Sequence, residues 1–323
     1  MSEETTELSP QAIFIFEKLC FAYWILTVPF YTCIVCILIQ AQLKNVQDLN
    51  SPFFKLCIST GIVDVVTLVN NYVGSVFPKW GWFREFYLAM GKPYIYTYLI
   101  IAWATGIIQS LSVSLLATNR LSAILLPRHF NVMWYGSRLK LAIFIQVAPG
   151  FVIALLNLTN EVQFSENGKG GIVPEIVDKK VTTAYFLFGG CFLTANSIYL
   201  IVAYCYLFYK LRSRQKAQLR FNSHARSQTK DQSKRREHRL FLMATSVVAV
   251  QLTILLFFST KLFPWFRVTP EVFYTFYNAL SNLYAGASAY LLWIFSDALR
   301  NHVYLTLRFR SPLIPTISIS SVK

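Results

Sequence analysis

Two ionisable side chains mark where this chain could do chemistry. Asp64, in CISTGIVDVVTLVNN, lies well inside a long apolar run, and Arg120, in TNRLSAILLP, closes another run that carries no charge from Pro93 to Asn119. A carboxyl group in such surroundings is costly unless it turns inward and finds partners, so it reads as a functional site by default. Thr60, Asp64, Thr67 and Asn71 recur at helical spacing and form one polar stripe. Two readings of that stripe are open: a fixed staple between helices, or a switch whose partners change with conformation. Ser112, Ser114, Asn196, Ser197, Gln251, Asn278, Ser281 and Asn282 are the polar residues available to it on other runs. Arg120 is a rigid fork of donors at the end of a helix, suited to a partner surface. By itself it also fits a side chain snorkelling to the membrane boundary.

Other chemistries lack their parts. His129, His224, His238 and His302 all fall outside the apolar runs, and Asp64 is the only acid within them. A nucleophile–base or metal constellation inside a helix bundle therefore has no members. Cys33 and Cys36 form one spaced pair with no second pair to complete a zinc site. The run at 272–295 has no lysine for a Schiff base, and no glycine-rich phosphate loop is present. The chain reads as a non-enzyme with no metal and no cofactor. All six cysteines lie within apolar runs, so no external disulfide is expected.

The elements that must position Asp64 and Arg120 follow from composition. Of 323 residues 55% are hydrophobic and 14% charged, and mean hydropathy is +0.45, far from the balance of a soluble domain. A helix crossing about 30 Å of hydrocarbon needs roughly 20 largely uncharged residues. Seven runs meet that length, near 20–41, 54–76, 95–118, 139–158, 184–208, 240–260 and 272–295. The fold class expected is an all-α membrane protein, a seven-transmembrane helix bundle. The opening MSEETTELSP is acidic and unlike a secretory leader, so the first run is its own insertion signal. Basic loops stay cytoplasmic. The tail and loops on the N-terminal side of the bundle hold nine Lys and Arg, against twenty-one on the opposite side, which puts the N-terminus outside and the C-terminus inside. Residues 1–19 then form an external tail, 20–295 the transmembrane domain and 296–323 a cytoplasmic tail.

The net charge of +15 accordingly sits on the cytoplasmic side, where it meets membrane lipid and implies no nucleic acid. Its densest part is 209–239, whose ends, Lys210 to Lys216 and Lys234 to Arg239, are expected to prolong helices five and six as amphipathic stubs. In SDALRNHVYLTLRFR, 296–310, Leu299, Val303 and Leu307 share one side, which suits a short interfacial helix after helix seven. Aromatic residues crowd the outer end: Trp80, Trp82, Phe83, Tyr87, Tyr94 and Tyr96 in one group, with Phe263, Trp265 and Phe266 in another. They read as an interfacial belt, and the ligand-contacting residues are left unknown.

At this point a resemblance appears. Asn119-Arg120-Leu121, followed by Ala123-Ile124 and Pro127, resembles the Asp-Arg-Tyr pattern of rhodopsin-like G-protein-coupled receptors, and Asp64 is similarly placed to the acid those receptors keep in helix two. SPFFKLCISTGIVDVVTLVNNYVGSVFPKWGWF, residues 51–83, with the final SAYLLWIFSDALRNH, resembles the nematode serpentine receptors of class V and their class gamma relatives. The resemblance implies a chemoreceptor of the plasma membrane that binds an external small-molecule ligand and signals through a heterotrimeric G protein. Asn119 and Arg120 would be the G-protein coupling site and helix-three switch, and Asp64 an intramembrane polar switch. Three departures stand out: Asn119 replaces an acid that could pair with Arg120, Ser288-Ala289 replace the usual Asn-Pro, and the customary disulfide is absent. The other class in play is a membrane transporter or ligand-gated channel subunit of seven helices, which would share the buried carboxylate but wants internal repeats or broken helix pairs.

Overall fold

The computed structural model describes residues 9–221, 246, 248–257 and 270–306. Helix α1 runs Pro10–Leu43, starting before the apolar run that announces it, and α2 runs Pro52–Asn71. Both open on a Ser-Pro step. Proline at the first helical position gives up an N–H that would have no partner anyway. Next come α3 (Arg84–Leu125), a short turn Phe130–Trp134, α4 (Ser137–Leu155), α5 (Lys179–Phe221), α6 (described over Val248–Phe257), α7 (Pro270–Phe295) and α8 (Asp297–Thr306). Among the described residues, five helices, α1 to α5, are long and apolar enough to cross a membrane. α7 is as long as a span but richer in tyrosine and asparagine.

The centre of the bundle is α3, which packs against α2, α4 and α5. Its contact with α4 is set by Gly150. A Cβ there would lie 2.6 Å from the Ala104 carbonyl oxygen, so only glycine lets the two backbones approach this closely. A second interior, built from α1, α2 and α7, holds Tyr31, Leu38, Leu68 and Ala289. Leu299 and Val303 of α8 join it, while Leu305 on the other side is 78% exposed. The apolar side of α8 thus packs partly on the bundle itself.

Two features depart from the expectation of helices joined by loops. Residues 84–90, read as loop, are helical, and α3 breaks only at Gly91 (φ 57°, ψ −142°), two residues before Pro93. Hydropathy missed this piece because it mixes charge with aromatic residues. The second departure is a β-hairpin within an otherwise helical chain. Val162–Glu166 pairs antiparallel with Ile172–Ile176, in the register Val162 to Ile176. The tip uses Gly168 and Gly170, both at positive φ. Five-residue strands have too few positions to stand out beside runs of twenty, and the tip reads as an ordinary loop. The hairpin's Val162 and Ile176 pack on Ile95 and Leu99 of α3.

The six cysteines are free thiols, as expected. The hairpin is held instead by Asn167. Its Nδ2 donates to the Lys79 carbonyl (2.7 Å), and its Oδ1 accepts from the Lys169 and Gly171 amides (both 2.9 Å). Leu307, the basic segment 222–239, and Phe263, Trp265 and Phe266 lie outside the described residues.

Candidate functional site

Asp64 is 2% exposed and sits where four helices meet. The Tyr31 hydroxyl of α1 donates to its Oδ2 at 2.7 Å, and the Gln109 amide of α3 donates to its Oδ1 at 2.7 Å. Ser288 of α7, at one of the departures from the receptor pattern, stands beside the same carboxyl group. A buried carboxyl group is tolerable because each oxygen meets donors. None of the eight partners expected from the sequence is among these. Tyr31 and Gln109 each stand inside a long apolar run. The signal available was the rarity of an amide at the middle of a membrane helix.

The expected partners bind each other instead. Asn71, two turns from Asp64 on the same stripe, donates to Ser281 Oγ (3.0 Å) and Asn282 Oδ1 (2.9 Å) of α7. Ser112 accepts from Gln146 of α4 at 2.5 Å, and Gln146 in turn accepts from Ser59. Ser114 bonds Asn196, and Gln251 of α6 joins Ser197 of α5 to Tyr284 of α7. The polar residues therefore form a layered set of interhelix contacts through the bundle.

Asn119 and Arg120 sit at the far end of α3 from the hairpin. Gln109 lies eleven residues earlier, about 16 Å along the axis, so Asp64 and Arg120 occupy separate levels. Asn119 is 2% exposed and its Nδ2 has no hydrogen-bond partner among the described residues. Its carbonyl accepts from Ser122 Oγ, which accepts from Trp134 Nε1 at 2.6 Å, tying the turn after α3 back onto the helix. The Arg120 guanidinium carbon lies 4.7 Å from the centroid of the Phe53 ring at the start of α2. A guanidinium over a ring face within about 6 Å is a cation–π contact.

The hairpin end carries a third group of residues, of which the sequence singled out only Trp80. Glu17 of α1 accepts from Lys79 (2.6 Å), Trp80 Nε1 (3.0 Å) and Thr275 of α7 (3.3 Å), and Lys79 also reaches Thr275 Oγ1 at 2.9 Å. Nearby, α2 makes a π turn over Tyr72–Val76. Its cause is legible: the Phe77 amide bonds the Tyr72 carbonyl, and the next residue, Pro78, has no N–H for Val73. The Val73 carbonyl is satisfied by the hydroxyls of Tyr87 (2.9 Å) and Tyr94 (2.6 Å). Those tyrosines, expected as an interfacial belt, thus have internal work. Trp80 and Trp82 likewise pack edge-on to Phe21 of α1, at 5.4 and 5.9 Å between centroids.

Five helices among the described residues, long and apolar enough to cross a membrane, make this a multi-pass helical bundle. Residues 20–309 match the family described as serpentine type 7TM GPCR chemoreceptor Srv, and the chain belongs to that family. Of the two serpentine classes that the resemblance left open, the match is to class V. The family is one of multi-pass membrane receptors. No curated protein matches the chain.

Proposed function

We propose that this chain is a chemosensory receptor of the plasma membrane, detecting an external small molecule and signalling through a cytoplasmic heterotrimeric G protein. The observation that carries the reading is the family match over 20–309, within which Arg120 stands at the end of the central helix. In this reading the bundle has seven spans over 20–295, with the tail 1–19 outside and the tail 296–323 in the cytosol. α8 lies along the inner leaflet, with Leu305 toward lipid. Asn119 and Arg120 form the coupling surface, and Asp64 is the polar switch.

The mechanism is a population shift between two packings of the bundle, driven by a ligand's differential affinity for them. In the resting packing Asp64 is shared by α1, α3 and α7, and Arg120 rests on Phe53. A relative movement of α3 and α7 would strain the first arrangement and release the second, presenting Arg120 to the G protein. Expression in a heterologous cell with an odorant panel tests this, with Arg120→Ala and Asp64→Ala beside the parent chain. The expected result is G-protein activation that Arg120→Ala abolishes at equal surface expression. Ligand-evoked current or substrate uptake that survives G-protein blockade and Arg120→Ala would overturn it in favour of a channel or transporter. An N-terminal epitope found only in permeabilised cells would overturn the topology.

A further inference from the structure

The helical piece 84–90, set off from the rest of α3 by the break at Gly91, carries an apolar side turned away from the bundle. Phe86 and Met90, one turn apart on that side, are 60% and 43% exposed, and Phe83 just before them is 68% exposed. Tyr87, between them, is buried and points inward to the Val73 carbonyl. We infer that this side is a lipid-binding surface: Phe83, Phe86 and Met90 enter the boundary between headgroups and acyl chains, in the leaflet at the hairpin end, and give α3 a membrane contact outside its span.

The level of the piece argues for lipid. Lys55 is the last charged residue before the apolar run of α2, and Val73 follows it by eighteen residues. At 1.5 Å per residue that is about 27 Å, close to the roughly 30 Å of hydrocarbon that a span must cross. Val73 therefore stands at the far boundary of the hydrocarbon from Lys55. Tyr87 and Tyr94 both donate to its carbonyl, at 2.9 and 2.6 Å, which fixes the piece within a side chain's length of that level. α3 agrees: Asn70 donates to the Tyr98 carbonyl at 3.3 Å, so Tyr98 lies just inside the same boundary. Gly91 is open on its outer side, with no atom within 4 Å of where a Cβ would stand.

The chemistry of the contact is apolar. Arg84 already bonds Glu166 of the hairpin, and Lys92 stands 3.9 Å from Glu161, so the cations beside the piece are matched within the chain. Attraction to anionic headgroups is then small, and the contact rests on area removed from water. Phe83 adds an independent sign. It is held at φ 55°, a left-handed conformation that glycine takes freely and a bulky residue does not. Backbone strain of that kind persists where the side chain has a use. The aromatic belt expected at this loop thus passes from Tyr87 and Tyr94, which bond inward, to Phe83, Phe86 and Met90. The inference rests on α2 and α3 crossing the bilayer and is independent of G-protein signalling.

Photocrosslinking tests it on the full chain in phosphatidylcholine nanodiscs. Benzoylphenylalanine replaces one residue at a time, and lipid adducts are counted by mass spectrometry. Phe144, 64% exposed on α4, sets the yield of a side chain among acyl chains, and Glu85 that of an exposed side chain on the other side of the piece. Positions 86 and 90 are expected to match position 144 and to exceed position 85 about tenfold or more, the preference of a phenylalanine-sized side chain for an apolar phase over water. Replacing part of the phosphatidylcholine by phosphatidylserine is expected to leave that ratio unchanged. The two positions are read separately, so a variant that fails to fold leaves the other to decide. Adducts at 86 and 90 no more frequent than at 85, or adducts to a second copy of the chain in place of lipid, overturn the surface. A yield that rises with phosphatidylserine overturns its apolar character.

Discussion

Replacing Phe53 should raise signalling in the absence of ligand. Arg120 has an amide, Asn119, where the related receptors have an acid, and its guanidinium carbon lies 4.7 Å from the Phe53 centroid. Such a contact is worth about 0.5–1 kcal/mol when exposed and about 2 when desolvated. Arg120 is partly buried, so about 1–2 kcal/mol is the appropriate range. Removing that from the resting state alone multiplies the active-to-resting ratio by about 5 to 30, since about 1.4 kcal/mol is tenfold. A receptor with about 1% of its molecules active would rise to between about 5% and 25%. The assay is ligand-free G-protein activation normalised to surface expression, in Phe53→Leu and Phe53→Tyr beside the parent. Phe53→Leu keeps an apolar body without a ring face and should rise; Phe53→Tyr keeps the face and should stay near the parent. Equal basal activity in all three would refute the reasoning, and an equal rise in both variants would assign the effect to packing.

Three further outcomes follow from the geometry. Gln109→Leu removes one donor from the buried Asp64 carboxyl and should cost about 1–3 kcal/mol of thermal stability in detergent. The cost should shrink in an Asp64→Leu background, where no carboxyl remains to be satisfied, and an unchanged cost would exclude this pairing. Gly150→Val should lower folded yield through the clash with the Ala104 carbonyl, by about 1–3 kcal/mol or more, whereas Gly106→Ala, which meets nothing within 4 Å, should be neutral in the same thermal assay. Asn167→Ala should free the hairpin tip from Lys79, read as faster proteolysis within 167–171 with little change at α3.

How much of this was legible beforehand differs by feature. The inward turn of the Thr60, Asp64, Thr67 and Asn71 stripe followed from helical spacing, and all four residues are buried. The free state of the cysteines followed from their placement in apolar runs. The partners of Asp64 did not follow, because a spacing rule fixes which face of one helix a residue occupies and nothing about the rotation of its neighbours. Eight plausible polar residues were available, and the two hydrogen bonds measured to the carboxylate come from Tyr31 and Gln109. The cluster at Glu17 was invisible for the same reason: Glu17, Lys79 and Thr275 lie far apart in the chain, and neither charged member stands in an unusual local context. The π turn could have been read from Pro78, and the hairpin from the glycines around Lys169.

The amino-acid sequence by itself determined that the chain is a membrane helix bundle of the serpentine receptor type. Hydrophobicity and helical period are sums over neighbouring residues, and lipid enforces them segment by segment. Tertiary structure decided what each polar side chain does. It set Arg120 against Phe53, gave Asp64 its donors from α1 and α3, and closed Glu17 upon Lys79. Those pairings depend on helix rotation and approach, which are fixed by contacts such as Gly150 against Ala104 and Asn167 against Lys79, between residues far apart in the chain.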